Sequence, residues 1–157
     1  MKKLRLYADT SVFGGCFDDE FADISNILFD EIKNGRFILV LSATTLRELA
    51  RAPEKVRNVL EEIDEINMEI IIESDEIDHL RDAYLEAGIV GVTSSADAEH
   101  IAAATVAGVD LIVSWNFKHI VHFDKIKQYH AVNIVGGYYP IPIHTPREVA
   151  SDDNKDI

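Results

Sequence analysis

The sequence predicts a three-layer α/β/α sandwich built on a mostly parallel central sheet of about five strands. Three observations carry this. Short apolar runs alternate along the whole chain with segments of helical period. Some of those runs are continuously apolar, the form of a strand buried on both faces. Parallel strands need long crossovers, which the intervening helical segments supply. A length of 157 residues suits one domain with one core.

The first strand is LRLYA (4–8), which ends on Asp9, Thr10 and Ser11. Residues 12–16, with Gly14 and Gly15 together, predict a small flexible turn. A helix follows over 18–34: Phe21, Ile24, Leu28 and Ile32 recur at helical spacing, and Gly35 is a stop signal. FILVLS (37–42) is the second strand. A helix begins near Thr44 or Thr45, and Pro53 breaks or restarts it. MEIIIE (68–73) is the third strand, and a helix over 74–87 is closed by Gly88. The small-residue helix ADAEHIAAATVAG can pack closely on a sheet. DLIVSW (110–115), a helix over about 119–129 and a final strand AVNIVG (131–136) complete the core. Thr145, Pro146 and Glu148 stand in the order of a capped helix start. The domain is expected to occupy 1–150, with 151–157 a disordered acidic tail.

The composition narrows the function classes. No apolar run approaches the ~20 residues that cross a bilayer, and the basic N-terminus lacks a signal-type apolar region. No membrane association and a cytoplasmic location are the expectations. The single Cys16 excludes an internal disulfide and a cysteine-rich zinc site. Six histidines include no HExxH arrangement. A net charge of −13 argues against broad electrostatic binding of nucleic acid. Carboxylates gathered for a divalent cation would themselves make the chain look more acidic than its working form.

Open α/β sheets bind ligands beyond the carboxyl ends of their strands. Four residues fall at that edge: Asp9 after strand one, Glu48 in the helix after strand two, Asp97 at the start of the Ala-rich helix, and Asn116 after strand four. Each has a plainer role open to it. Asp9 can cap a turn, Thr45–Glu48 and Ser94–Asp97 fit capping boxes, and Asn116 fits a turn. Their joint placement favours a site, since clustered carboxylates repel unless a cation sits among them. Hard oxygen donors suit Mg²⁺ or Mn²⁺ better than zinc. His100 either faces the cleft or is solvated. Trp115 either adjoins the site or fills the core, and His119 either serves the site or opens a helix. Arg47, Arg51, Lys55 and Arg57 either line a solvated face or meet a phosphate backbone.

These segments resemble the PIN-domain nucleases, which include the VapC-like toxins of toxin–antitoxin systems. YADTSV is similar to the family's opening strand and first Asp, LRELAR to its second motif, and DAEHIAAATVAGVDLIVSWN to its third and fourth; IHTPREV resembles its closing helix start. The resemblance covers nearly the whole chain and lies in the order and spacing of short motifs. It implies a Mg²⁺- or Mn²⁺-dependent ribonuclease in which Asp9, Glu48, Asp97 and Asn116 are catalytic and hold the metal. It further implies that Thr10, Ser11 and Ser114 orient the carboxylate or contact substrate phosphate. An RNA substrate, an antitoxin partner and a homodimer follow from the same resemblance. Asn116 departs from the family's usual Asp and leaves open whether one or two cations act. The loss of that acid also fits a degenerate module that binds RNA or protein without cutting. A phosphatase or receiver domain fits less well, because DTS lacks the second Asp of the dehalogenase-like phosphatases, and neither the early acidic pair nor the later strand-end Lys of a receiver is convincingly placed.

Overall fold

Among the described residues, five strands run parallel in a single sheet of order β3-β2-β1-β4-β5. The computed structural model describes residues 2–151; the tail expected over 151–157 lies outside the described residues except for Ser151. The elements run β1 (Leu4–Ala8), α1 (Thr10–Gly15), α2 (Ala22–Lys33), β2 (Phe37–Ser42), α3 (Ala43–Ala50), α4 (Glu54–Glu61), β3 (Met68–Ile71), α5 (Asp75–Glu86), α6 (Ser95–Ala107), β4 (Leu111–Val113), α7 (Phe123–Val135), β5 (Ile143–His144) and α8 (Pro146–Val149).

The three layers follow from strand alternation, since successive side chains point to opposite faces. Tyr7, Val40 and Ile112 pack into one buried cluster with residues of α5, α6 and α7. Leu6, Ala8, Leu39, Leu41 and Val113 pack into a second with α1, α2 and α4. β1 is therefore covered on both sides, and its last three residues are fully buried. α6 is also covered over most of its surface, from Ala98 and His100 through Thr105, which explains its lack of a polar face. It ends on Gly108 at φ 66°, a left-handed cap that glycine adopts without strain.

Several segments differ from expectation. Residues 131–135, expected as a strand, form the second half of α7. Their apolar run misleads because Asn133 within it is buried, bonded to the Tyr84 hydroxyl and to Thr105 Oγ1. That places Asn133 one helical turn beyond buried Tyr129, on the face that meets α5 and α6, while Val135 is exposed. The fifth strand is instead Ile143–His144, an edge strand of two residues preceded by Pro140 and Pro142. The helix expected from about 119 starts at Phe123, with His122 as its N-cap.

The turn expected at 12–16 is the helix α1, and its end is tightly packed. A Cβ on Gly15 would lie 2.6 Å from Ser25 Oγ and 2.8 Å from Trp115 Cδ1. Gly15→Ala is expected to cost about 2 kcal/mol through this overpacking. Gly14→Ala, with nothing near its Cβ, is the control in a urea titration and should not reproduce that loss.

Candidate functional site

Chain direction across the sheet reverses at β1: β2 and β3 lie to one side, β4 and β5 to the other. Open α/β sheets form their ligand crevice at this switch point, beyond the carboxyl ends of the strands. Ala8 and Val113 are register partners in β1 and β4, so Asp9 and Ser114 leave the sheet side by side there. α3 and α6 start at the same edge, bringing Glu48 and Asp97.

The plainer roles of the three acids are not the ones they play. Asp9 is the N-cap of α1 but makes no side-chain cap bond. α3 is capped by Ser42 and Thr45, one box upstream of the Thr45–Glu48 pair that the sequence offers. Ser94 is the N-cap of α6 without a side-chain cap bond. Each carboxylate is thereby left to interact across the crevice.

Asp9 is only 4% exposed. Ser11 Oγ donates to its Oδ1 at 2.6 Å and accepts from the Trp115 N–H at 2.9 Å, so one hydroxyl ties Asp9 to the chain leaving β4. Burial pushes the Asp9 carboxyl up to about 6, opposed by the charge of His100 and by the Ser11 and Ser114 hydroxyls, and reinforced by the Asp97 charge. Asp97 is also raised, again chiefly by burial, with Glu48 adding to the effect. Asp97 thus lies within electrostatic reach of both Asp9 and Glu48.

Glu48 is held from two sides. Thr10 Oγ1 donates to its Oε1 at 2.7 Å, and His100 Nε2 lies 2.6 Å from the same oxygen. Burial works to raise the Glu48 carboxyl, but these bonds and the imidazole charge hold it below its ordinary value. His100 is buried, neither facing an open cleft nor solvated, and its Nδ1 lies 2.6 Å from the Tyr7 hydroxyl. That hydroxyl also meets Ser42 Oγ at 2.7 Å and Thr45 Oγ1 at 3.2 Å. Burial alone would push the His100 pKa down. The Tyr7 oxygen, the Glu48 hydrogen bond and the Asp9 charge overcome this and raise it to about 10. A doubly protonated ring then donates to Tyr7 and to Glu48 at once. Tyr7 and His100 stand 93 residues apart in the sequence, and a lone histidine on an Ala-rich helix does not announce its partners.

Asn116 does what its turn role requires and more. Its Oδ1 accepts from the Lys118 and His119 N–H groups at 3.2 and 2.9 Å, while its Nδ2 donates to Asp97 Oδ1 at 3.2 Å. It therefore reaches Asp97 as a donor while its oxygen accepts from the loop. The hydroxyls divide as well. Ser11 orients Asp9, Thr10 orients Glu48 instead, and Ser114 is fully buried with its Oγ accepting from the Asn116 N–H at 2.9 Å.

Trp115 is core-like, 7% exposed, with its indole N–H on Ser25 Oγ at 2.8 Å and its ring stacked on Phe21. Of the basic residues near Glu48, Arg47 is paired with Glu73 and Glu99. A cavity of about 450 Å³ adjoins Glu48 between α3 and α6, lined by Thr44, Arg47, Arg51, Ser95 and Glu99 among others.

Fold and site together define a parallel α/β domain with a buried, hydroxyl-braced acidic crevice at its switch point. Among solved structures it is similar to FitAcB from Neisseria gonorrhoeae, with a TM-score of 0.53 over 90% of this chain and 98% of that one, at 14% sequence identity. The three-layer α/β/α architecture with a parallel five-stranded sheet, expected from the sequence, is the fold of this chain and is shared with that structure. No protein-family model matches the chain, and no curated protein matches it. Among the described residues, no helix is long and apolar enough to cross a membrane.

Proposed function

We propose that the chain is a Mg²⁺- or Mn²⁺-dependent endoribonuclease, acting as the toxin of a toxin–antitoxin pair. The observation that carries this reading is the convergence of Asp9, Glu48 and Asp97 on the switch-point crevice, each freed from capping and braced by a neighbouring side chain.

The donor chemistry fits a hard cation. Burial of Asp9 beside a second carboxylate raises its pKa to about 6, a cost that a cation among the acids would remove. Among the described residues, no three His, Cys, Asp or Glu side chains already enclose an ion position. Asp9 and Asp97 are the residues that would hold the ion, with Glu48 tethered beside them. Bound there, a divalent cation supplies Lewis acidity to a phosphodiester and lowers the pKa of a bound water.

The protein's own contribution is positioning. Ser11 fixes the Asp9 carboxylate, Asn116 fixes Asp97, and Thr10 with His100 fixes Glu48. Above pH 6 Asp9 is ionised and able to ligate; below it, the carboxyl holds its proton and the crevice loses one charge. An antitoxin covering the crevice and a second copy of the chain are the partners this reading carries.

A second reading is a module that binds RNA or protein without cutting. It is favoured by Asn116, which contributes no charge, and by the ion pair that occupies Glu48. Incubation of a mixed RNA panel with Mn²⁺, Mg²⁺ or EDTA separates the two. Cation-dependent cutting supports the nuclease; folded protein with neither cutting nor cation binding supports the module.

A further inference from the structure

We propose that the loop after β4 carries a subsite for one unpaired nucleotide, whose base stacks on Phe117 and whose phosphate is met by Lys118. This rests on the nucleic-acid reading of the crevice and names the form of substrate it takes.

Phe117 follows Asn116, the residue that donates to Asp97, so it stands one peptide unit (~3.8 Å between Cα atoms) from the acidic crevice. It is 48% exposed. Behind it the ring has aromatic support: its centroid is 6.0 Å from Phe21 and 6.2 Å from Trp115, which are themselves stacked at 4.2 Å. Trp115 is pinned by Ser25, by Ser11 and by the close approach of Gly15.

The loop that presents Phe117 is also fixed. The Asn116 carbonyl accepts from the N–H groups of Ile120 and Val121, and its side-chain oxygen accepts from those of Lys118 and His119. A ring held this way loses little freedom when a ligand packs on it, which favours affinity. Sequence-tolerant recognition of single strands uses this combination, an aromatic face for the base beside a cation for the backbone.

The cation is adjacent. Lys118 is exposed and opens a cavity of about 450 Å³, lined also by His119, His122, Asp124, Lys125 and Gln128. In a chain of net charge −13, this cavity gathers two lysines and two histidines against one acid, with the Lys125 ammonium held on the Ile89 carbonyl. A nucleic acid entering here meets the basic wall first and the acidic crevice next. A paired duplex could not offer a base face to Phe117, so the subsite selects unpaired RNA.

The test uses the full chain carrying Asp9→Asn, in Mg²⁺, with short single-stranded RNAs bearing one 2-aminopurine at successive positions. Binding by anisotropy and quenching of 2-aminopurine fluorescence are read together. Quenching at one position is expected. Phe117→Ala should abolish it and weaken binding about 10-fold. Phe117→Trp should restore both, and Phe117→Leu should restore neither. Lys118→Ala should reduce the slope of log affinity against log salt by about 0.7. Unchanged quenching and affinity in Phe117→Ala would overturn the proposal. So would rescue by Phe117→Leu, which marks a merely apolar contact such as a protein partner, or absence of RNA binding altogether. Because Phe117 is half exposed, matching melting temperatures should accompany these variants. Failure here with cation-dependent cutting intact in otherwise wild-type protein removes the subsite alone. Quenching that behaves as expected in a chain that never cuts removes the nuclease alone.

Discussion

Asp9→Asn is expected to stabilise the folded protein at pH 7.5 while removing the proposed cleavage of RNA. The Asp9 carboxyl is buried, and its pKa of about 6 lies above its ordinary 3.8. A carboxyl raised in the folded state favours folding fully below its ordinary pKa. That contribution is lost as the pH rises through the folded value, and above 6 the buried charge counts against the fold. The difference of roughly two units corresponds to about 3 kcal/mol at 1.36 kcal/mol per unit. Asn removes the charge and keeps an oxygen to accept from Ser11. Urea titrations should therefore show the variant more stable by about 2–3 kcal/mol at pH 7.5 and level with wild type near pH 4. A variant less stable at pH 7.5 would mean that the ionised carboxylate is satisfied where it stands. The paired outcome, gain of stability with loss of function, is the pattern of a residue kept for chemistry at the expense of the fold.

His100→Ala should have the opposite effect, a loss of about 3 kcal/mol at neutral pH. The substitution empties a buried ring position and removes two hydrogen bonds, one of them to a charged partner. Tyr7 keeps Ser42 and Thr45, whereas Glu48 keeps only Thr10. The sign of the pH dependence follows from a pKa raised to about 10 against an ordinary 6.5. The stabilisation is full below 6.5 and disappears as the pH rises through 10. The stability gap between wild type and His100→Ala should therefore be large near neutral pH and shrink towards pH 10. A gap that stays constant to pH 10 would assign the effect to packing alone. Cleavage should fall together with the tether on Glu48.

Much of the architecture was legible in the sequence because strands buried on two faces leave apolar runs, as over 37–42 and 110–115, while 4–8 showed itself by Leu4 and Leu6 alternating with Arg5 and Tyr7. The switch point was legible too, since an acid directly after the first strand falls at the edge where parallel sheets open. What misled was local chemistry that points two ways. Thr45-Leu-Arg-Glu48 has the form of a capping box, yet Ser42 takes the cap because its Oγ and Thr45 already satisfy the first turn of α3. The run 131–135 looks like a strand until buried Tyr84 supplies a partner for Asn133 from 49 residues away. The Tyr7–His100–Glu48 chain joins three elements separated by up to 93 residues, and no local pattern encodes it. Asn116 shows both outcomes at once: its turn role was readable from its position, and its reach to Asp97 was not.

The central claim is that the switch-point acids hold a divalent cation that cuts RNA. Its most direct test is cleavage of a mixed RNA panel by wild type and Asp9→Asn in Mn²⁺, Mg²⁺ and EDTA, with folding checked by circular dichroism. Cutting that requires the cation and vanishes in the folded variant is the predicted result. Equal cutting by wild type and folded Asp9→Asn, or cutting undiminished in EDTA, would contradict it.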